Sequence, residues 1–453
     1  MAILVVGVRG IGIETIKNLA LQGAGAITIV DPNPIETKDC GVNFFIHETD
    51  VGTNQTRADV VAPRVRELNP ICKVSTSPFL NDDIIYQHSA VVIAQAMPTA
   101  EIIRLNELCR SANISFFYAF AGGITGSIFV DHGDKHMVID PNGEKPLQKL
   151  ITNITQLEKG ICQIRYDHPE GQLPISLSDN HYEITEVIGL DGINGTVLEG
   201  KRLYSDPVMT LRFPHDIPTD SEYMGGGLLT EKKIAKHYPM QSFASKIKDP
   251  GNTFAEPPTL CLTDLLNFGS ELQNHVAFVA TLRFYDVNQR LPTPNSNEDA
   301  ESVVKIAQSL LKAGDIALED FDLNVDLVKK YALYAGVELQ PMAAFLGGVL
   351  AQEVVKCTGK FTPIPGFLHF STPESLPNEA PSIDDTFPRN HRNDELAAVF
   401  GWKFVETLGN LKYFMVGCGA LGCEFMKNFA LNSIFCGPKG INTNIILFGY
   451  SDH

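Results

Sequence analysis

Two spacings of apolar residues alternate along the first 145 positions of the chain. Short continuous apolar runs predict strands at residues 3–6, 26–30, 90–94 and 114–120. Apolar residues that recur every three or four positions predict helices at residues 13–22, 57–69 and 99–112. Because strands and helices alternate, we expect an α/β fold with a parallel sheet and helices on both of its faces.

The pattern changes after this region. From residue 151 to 230 the apolar patches are short and Gly, Pro and Asp are frequent, which predicts an inserted small β-barrel domain. Helical spacing returns from 235 to 325 and predicts a four-helix bundle. A buried helix is then predicted at 341–358 and a strand at 366–370.

A linker and a second α/β domain are predicted next. Residues 376–390 are rich in Pro, Ser, Asp and Asn, which is typical of a linker. From residue 391 to 453 a new domain begins, and its segment 415–431 repeats the segment 5–21 at a distance of 410 positions. Each copy predicts an apolar strand, a glycine turn and a helix. We therefore predict a duplicated Rossmann-like nucleotide-binding fold with a truncated second copy.

The second copy carries candidate phosphate-contacting glycines. Gly417, Gly419 and Gly422 have the spacing of dinucleotide-binding loops, in which the backbone and a helix N-terminus approach a phosphate. The spacing alone favours neither nucleotide contact nor simple close packing of strand and helix. Such sites usually have an acidic residue after the next strand, predicted at 444–448, but Gly449 stands there.

The first copy carries a different set of candidates. Gly7, Gly10 and Gly12 form its loop, and Asp31 ends the next strand, where it could contact a ribose. No nearby basic clamp or metal-binding carboxylates are evident, and the run 95–97 is Gln-Ala-Met where a magnesium site would carry Asp. We therefore predict a degenerate pocket that holds neither nucleotide nor metal.

Composition excludes several classes of protein. A formal net charge of −17 argues against nucleic-acid binding. Nine cysteines form no C-x-x-C pair, which argues against zinc and favours reduced thiols of a cytoplasmic or nuclear protein. Cys418 and Cys423, beside the second loop, are predicted to be packing residues. The longest apolar run, 114–130, contains glycines and predicts two buried strands around a turn, so we expect no membrane span.

Ordered motifs extend along nearly the whole chain. They are Gly7 to Gly12, Asp31-Pro32, Gly41 to Phe45, Arg57 to Asp59 followed by Glu67 to Pro70, Phe129 to Asp134, Asp140 to Pro146, Gly347-Gly348 followed by Ala351 to Glu353 and Lys356, Gly359 to Pro363, and Tyr413 to Leu431. Their order and spacing resemble the N-terminal portion of the ubiquitin-activating enzymes.

This resemblance implies a domain map. Residues 1–150 and 326–375 would form an inactive adenylation domain of ThiF type. Residues 151–230 would be the first catalytic-cysteine half-domain, which in the family lacks the cysteine. Residues 391–453 would begin the active adenylation domain, with Gly417, Gly419 and Gly422 in its ATP loop. By pseudo-symmetry, Arg392 would face the first pocket.

The resemblance also implies a chemistry. With ATP and magnesium, the family adenylates the C-terminus of ubiquitin or a ubiquitin-like modifier, forms a thioester and passes it to a conjugating enzyme. The magnesium Asp and the catalytic-cysteine domain are missing from the sequence. We therefore predict no catalytic residue here, a modifier-binding role, no productive binding of ATP and magnesium, and no complete reaction by this chain alone.

Two other functions remain open from the sequence. A non-catalytic regulatory subunit would pair with a separate active adenylation subunit, although such a subunit has no need of a second glycine loop. A nicotinamide-dependent oxidoreductase is suggested by the glycine loops alone. It is disfavoured because no catalytic Tyr/Lys or His constellation accompanies them.

Overall fold

The computed structural model describes residues 1–158, 160–168, 180–190, 192–202, 207–213, 222–253, 255, 258–261, 269–318 and 320–437. It divides into two compact units. The first contains Met1–His136, Pro239–Cys357 and the chain from Pro363, and the second contains Met137–Tyr238 and Thr358–Thr362.

The strands, in chain order, are β1 Ala2–Val6, β2 Ala26–Val30, β3 Lys73–Thr76, β4 Ala90–Ile93, β5 Ser115–Gly122, β6 Thr125–Asp131, β7 Met137–Val138, β8 Gln148–Glu158, β9 Ile161–Tyr166, β10 Asn180–Ile188, β11 Val197–Arg202, β12 Val208–Arg212, β13 Gly225–Lys232, β14 Lys236–His237 and β15 Phe367–Ser371.

The α-helices are α1 Gly10–Leu21, α2 Arg57–Leu68, α3 Asp82–Ile85, α4 Thr99–Ser111, α5 Phe243–Lys248, α6 Ser270–Asn288, α7 Asn297–Ala313, α8 Val325–Tyr334, α9 Gln340–Val355, α10 Ile383–Thr386, α11 Asp394–Phe400, α12 Trp402–Gly409 and α13 Ala420–Leu431. Short 3₁₀ turns lie at Thr37–Gly41, Glu48–Asp50, Lys356–Thr358 and Pro373–Ser375.

The first unit is built on a seven-stranded sheet in the order β15-β6-β5-β4-β1-β2-β3. β1 is parallel to both of its neighbours, so Val5 lies opposite Ile29 of β2 and Val92 of β4. β6 and β15 are antiparallel additions at one edge. The central strands are continuous apolar runs because helices cover both faces of a parallel sheet. The predicted α/β class and its parallel-rich, Rossmann-like sheet are confirmed, and the run 114–130 forms the strands β5 and β6.

Local sequence signals determine where the helices α2 and α9 begin. Thr56 caps α2 by accepting from the N–H of Asp59, whose carboxylate in turn accepts from the N–H of Thr56. α9 begins with Pro341 in its first turn and packs on α1. A Cβ at Gly347 would lie 2.5 Å from the Cβ of Glu14, so glycine is required for this approach. Within the described residues, no helix is long and apolar enough to cross a membrane.

The second unit contains a closed arrangement of six strands in the order β10-β11-β12-β9-β8-β13. Neighbouring strands are antiparallel, as for Tyr182 opposite Leu198 and Leu211 opposite Cys162. Alternate side chains point inward and form one apolar core, which includes Ile164, Tyr182 and Leu229. This alternation explains why no helical period is visible in this part of the sequence.

The second copy of the repeat differs from its prediction. The residues before Gly417 were expected to form a strand, but residues 411–418 have no regular structure. Phe414 and Val416 are 64% and 69% exposed. A strand needs a hydrogen-bonded neighbour, and no segment of the described ranges pairs with this one. The strand predicted at 444–448 and Gly449 lie outside the described residues.

Candidate nucleotide sites at the two glycine loops

The two glycine loops share one backbone geometry. Gly7 and Gly417 have φ values of +88° and +91°, in the region that favours glycine. Arg9 and Gly419 each precede the helix, with φ,ψ of −76°, −155° and −76°, −161°. A Cβ at Gly12 would lie 1.9 Å from the Gly7 carbonyl oxygen, and one at Gly422 would lie 2.7 Å from that of Gly417. The third glycine of each loop is therefore needed for the close approach of strand and helix.

Asp31 is engaged in closing the first loop. It is buried at the end of β2, where one carboxylate oxygen accepts from the N–H of Val8 at 3.0 Å. The other oxygen accepts from the backbone N–H and the side-chain amide of Asn33. Both oxygens thus serve the fold, and a ribose would have to compete with these contacts.

Arg9 occupies the position that Gly419 holds in the second copy. Its guanidinium bonds to Asp39 at 2.9 Å and to Glu395 at 2.8 Å, and lies 3.7 Å from Glu338. Burial alone would lower the pKa of Arg9, but the carboxylates of Glu395, Glu338 and Asp39 outweigh it and raise the pKa. Arg9 therefore stays cationic and is held by an internal carboxylate cluster.

A carboxylate also lies at the N-terminus of α1. The N–H of Ile11 donates to Oε1 of Glu338 at 2.8 Å. A Cβ at Gly10 would lie 2.6 Å from the same oxygen, so only glycine leaves room for it. Helix N-termini attract anions through their free N–H groups and the helix dipole. In the first copy, Glu338 fills the place that a phosphate group would take.

The space left beside the first loop is small. A cavity of about 200 Å³ is lined by Arg9, Ala94, Gln95, Phe120 and Glu338, among others. Small-molecule sites usually measure roughly 300–1,000 Å³. The first loop therefore offers little room and an anion position that is already occupied.

The second loop is open with respect to the described residues. A Cβ at Gly417 or Gly419 would meet no described atom within 4 Å. In the described part of the chain, α13 has no side-chain cap at its N-terminus and no acidic residue in its first turn. Leu421, the counterpart of Ile11, is 76% exposed. The backbone of this loop could accept a phosphate, as its glycine spacing predicts.

A reciprocal ion quartet joins the two copies. Lys17 of α1 bonds to Glu424 of α13 at 2.6 Å, and Lys427 of α13 bonds to Glu14 of α1 at 2.5 Å. Each lysine also bonds within its own helix, to Glu14 or Glu424, at 2.9 Å. Glu14 and Lys17 are the repeat counterparts of Glu424 and Lys427. This exchange of equivalent contacts is the signature of a two-fold interface, here formed inside one chain.

The predictions for three further residues, Arg392, Cys418 and Cys423, are corrected by the structure. The side chain that reaches the first loop from the segment after residue 390 is Glu395, whereas Arg392 donates to the carbonyl of Ala430. Cys418 is half-buried and Cys423 is exposed, so they are not interior packing residues. They lie beside the second glycine loop, and no strand in the described ranges pairs with the residues before it.

Other parts of the site were missed by sequence reasoning. Glu338 and Asp39 follow no periodicity, and Glu338 lies 327 positions from its partner Ile11. The ion quartet could have been found, because its members occupy equivalent positions in the two copies. No group of three or more His, Cys, Asp or Glu side chains in the described ranges is arranged to hold a metal ion.

Comparison with known proteins defines the class. The model of the ThiF family matches residues 1–386, which is most of the chain. The chain belongs to the ThiF family. This agrees with its parallel-rich sheet and with the glycine loop after β1.

Individual similar sequences show which members of the ThiF family this chain resembles. Ubiquitin-like modifier-activating enzyme 1 of Oryctolagus cuniculus is 32% identical over 444 residues, 97% of this chain and 40% of the relative. The enzyme of the same name from Rattus norvegicus is 33% identical over 448 residues, with the same two shares. Ubiquitin-activating enzyme E1 1 of Arabidopsis thaliana is 33% identical over 449 residues, 97% of this chain and 39% of the relative. The predicted resemblance to the ubiquitin-activating enzymes is confirmed, and the chain spans about two fifths of their length.

Proposed function

We propose that the chain serves in the activation of ubiquitin or a ubiquitin-like modifier, with ATP bound at the second glycine loop and not at the first. The observation that carries this proposal is the contrast between the two loops. Glu338 and Arg9 fill the first cradle, while Gly417 and Gly419 leave the second open. One active and one inactive nucleotide site is the arrangement that the family resemblance implies.

The second loop fits the phosphates of ATP. Gly417 and Gly419 allow close approach of the backbone, and Gly422 keeps the helix N-terminus next to the loop. ATP would supply the α-phosphate that activates the C-terminal carboxylate of the modifier. The protein's part in this chemistry would be to bind and orient the nucleotide through aimed N–H groups. Among the described residues there is no fitting magnesium site, so no role is assigned to the metal.

Titration with a fluorescent ATP analogue tests this assignment. Gly419→Arg transfers the residue of the first copy into the second and is expected to abolish binding. Arg9→Gly is the matched reciprocal change, and it is expected to leave binding at the second loop intact. Failure to bind nucleotide at millimolar concentration, or loss of binding only in Arg9→Gly, would contradict the proposal.

The modifier and the later steps belong to the same proposal. Residues 41–45, 50–57 and 151–155 resemble those of ubiquitin-like modifier-activating enzyme 6, which handles ubiquitin and one further modifier. We propose that residues 1–150, 151–230 and 326–375 contribute to modifier binding. Transfer to a conjugating enzyme would require the catalytic-cysteine domain of the family. ATP–pyrophosphate exchange reports the earlier adenylation step, in which the charge of the phosphates must be neutralised. Because the described residues offer no fitting magnesium site, we expect exchange with ubiquitin to stay at background for this chain alone, and brisk exchange would contradict that expectation.

The regulatory-subunit alternative has a separate test. It predicts a stoichiometric active adenylation subunit bound to the chain after affinity purification from cells. Our proposal predicts none, because the second glycine loop lies in the same chain and is already joined to the first copy by the ion quartet.

A further inference from the structure

Two thiols lie side by side at the second glycine loop. The Sγ atoms of Cys418 and Cys423 are 3.7 Å apart. Gly419 precedes α13 as its cap, so Cys418 lies one residue before the cap and Cys423 is the fourth residue of the helix. These two positions face each other at helix starts, where apolar side chains often form a hydrophobic staple.

The first copy has the ordinary form of this staple. Its counterparts of Cys418 and Cys423 are Val8 and Ile13, which are both buried, with 0% and 2% exposure. The backbone around the two pairs is the same, as the φ,ψ values of Arg9 and Gly419 show. One copy therefore joins these positions by aliphatic packing, and the other places two thiols there.

The thiol pair is also accessible. Cys423 is exposed and Cys418 is half-buried, whereas Cys40, Cys72, Cys109 and Cys162 are buried. Burial raises the pKa of the buried thiols, to about 12 for Cys109 and about 11 for Cys162. The hydrogen bond with Cys423 is the main cause that raises the pKa of the Cys418 thiol. Cys423 is the more exposed of the two thiols, so a dissolved oxidant reaches Cys423 first.

We propose that Cys418 and Cys423 are an oxidative modification site, which forms a reversible disulfide across the second glycine loop. The oxidant is a low-molecular-weight disulfide such as oxidised glutathione. The exposed Cys423 thiol loses its proton and attacks one glutathione sulfur, forms a mixed disulfide and expels one glutathione thiolate. Cys418 then loses its proton and attacks the Cys423 sulfur, which releases the second glutathione. Two protein thiols are oxidised, and one glutathione disulfide is reduced to two thiols.

The bridge would close a ring around Gly419, Ala420, Leu421 and Gly422. These residues include the open turn and the first N–H groups of α13. In the reduced chain the Cys423 thiol lies 3.8 Å from the carbonyl oxygen of Cys418 across this turn. The disulfide would fix its conformation, which the first copy fixes through Val8 and Ile13.

The experiment uses the full 453-residue chain and oxidised glutathione. Free thiols are then alkylated, and the tryptic peptide of residues 413–427, which contains both cysteines, is weighed. The expected result is a peptide lighter by two hydrogen atoms that carries no alkyl group and recovers both thiols under reductant. Cys418→Ala is expected to stop at the glutathione adduct of Cys423.

Two variants distinguish disulfide formation between Cys418 and Cys423 from general oxidation of exposed cysteines. Cys436→Ala removes an exposed cysteine nearby and should leave ring closure unchanged. The double variant Cys418→Val with Cys423→Ile restores the staple of the first copy and should keep α13 protected from hydrogen exchange while blocking oxidation. Alkylation of both thiols after glutathione treatment, or pairing of either one with Cys436, would overturn the proposal. None of these readouts depends on nucleotide binding.

Discussion

In the first copy of the repeat, the residue before the helix is Arg9, and three carboxylates surround its guanidinium. In the second copy the same position is Gly419, and a Cβ there would meet no atom of the described residues within 4 Å. The backbone is equal in both, from the positive φ of Gly7 and Gly417 to the helix starts at residues 10 and 420. The same backbone conformation thus forms two different loops. Side chains from distant segments fill the first loop, and none of the described residues fills the second.

The largest expected effect is a difference in stability between alanine variants of the two glycine loops. Gly12→Ala places a Cβ 1.9 Å from a backbone oxygen, whereas Gly422→Ala places it at 2.7 Å. We expect the free energy of unfolding to fall by about 3 kcal/mol for Gly12→Ala and about 1 kcal/mol for Gly422→Ala, measured by urea denaturation. Gly419→Ala, with open space around its Cβ, is the control and should change little. Equal losses at positions 12 and 422 would remove this difference between the copies.

The ion quartet gives the second prediction. The side chain of Glu14 is 4% exposed and that of Glu424 is 45% exposed, although they are counterparts. Glu14→Gln leaves two buried lysines facing one carboxylate, so α13 should lose about 2 kcal/mol of protection. Glu424→Gln removes a solvated partner and should cost about 0.5 kcal/mol. Hydrogen exchange at α13 measures both, and a larger effect for Glu424→Gln would contradict the asymmetry.

Acid should destabilise the first unit through two of its buried histidines, His275 and His369. His275 bonds to His369 at 3.0 Å and to the carbonyl of Ile247, and His369 bonds to Ser127. Burial lowers the pKa of His275 to about 4 and the pKa of His369 well below its usual value. The unfolded chain therefore binds more protons between about pH 6.5 and pH 4. Stability is fully present above that window and is lost as the pH falls through it.

The expected slope is at most about 1.4 kcal/mol per pH unit for each such histidine. Urea midpoints between about pH 7 and pH 5 measure it, and His275→Gln should flatten the profile. A profile that does not change in His275→Gln would show that these buried groups do not govern the acid response.

The sequence predicted what depends on local pattern. Continuous apolar runs located β1, β2, β4 and β5, and helical spacing located α2 and α4 to within about two residues. The prediction of a strand before Gly417 was wrong, because an apolar run forms a strand only where a neighbouring strand pairs with it. Glu338 and Glu395 could not be predicted at Arg9, because the fold brings them there from more than 300 positions away. Their role depends on long-range topology, which periodicity does not contain.

The N–H of Ile11 donates to the carboxylate of Glu338, so the helix N-terminus of the first copy binds an anion that belongs to its own chain. A diffusing nucleotide stabilises a fold only in proportion to its concentration, by mass action. A carboxylate on the same chain is always present at a fixed effective concentration. On our proposal that the first loop binds no nucleotide, the first copy keeps the same folding free energy whether the cell is rich or poor in nucleotide, and it supports the second copy equally under both conditions.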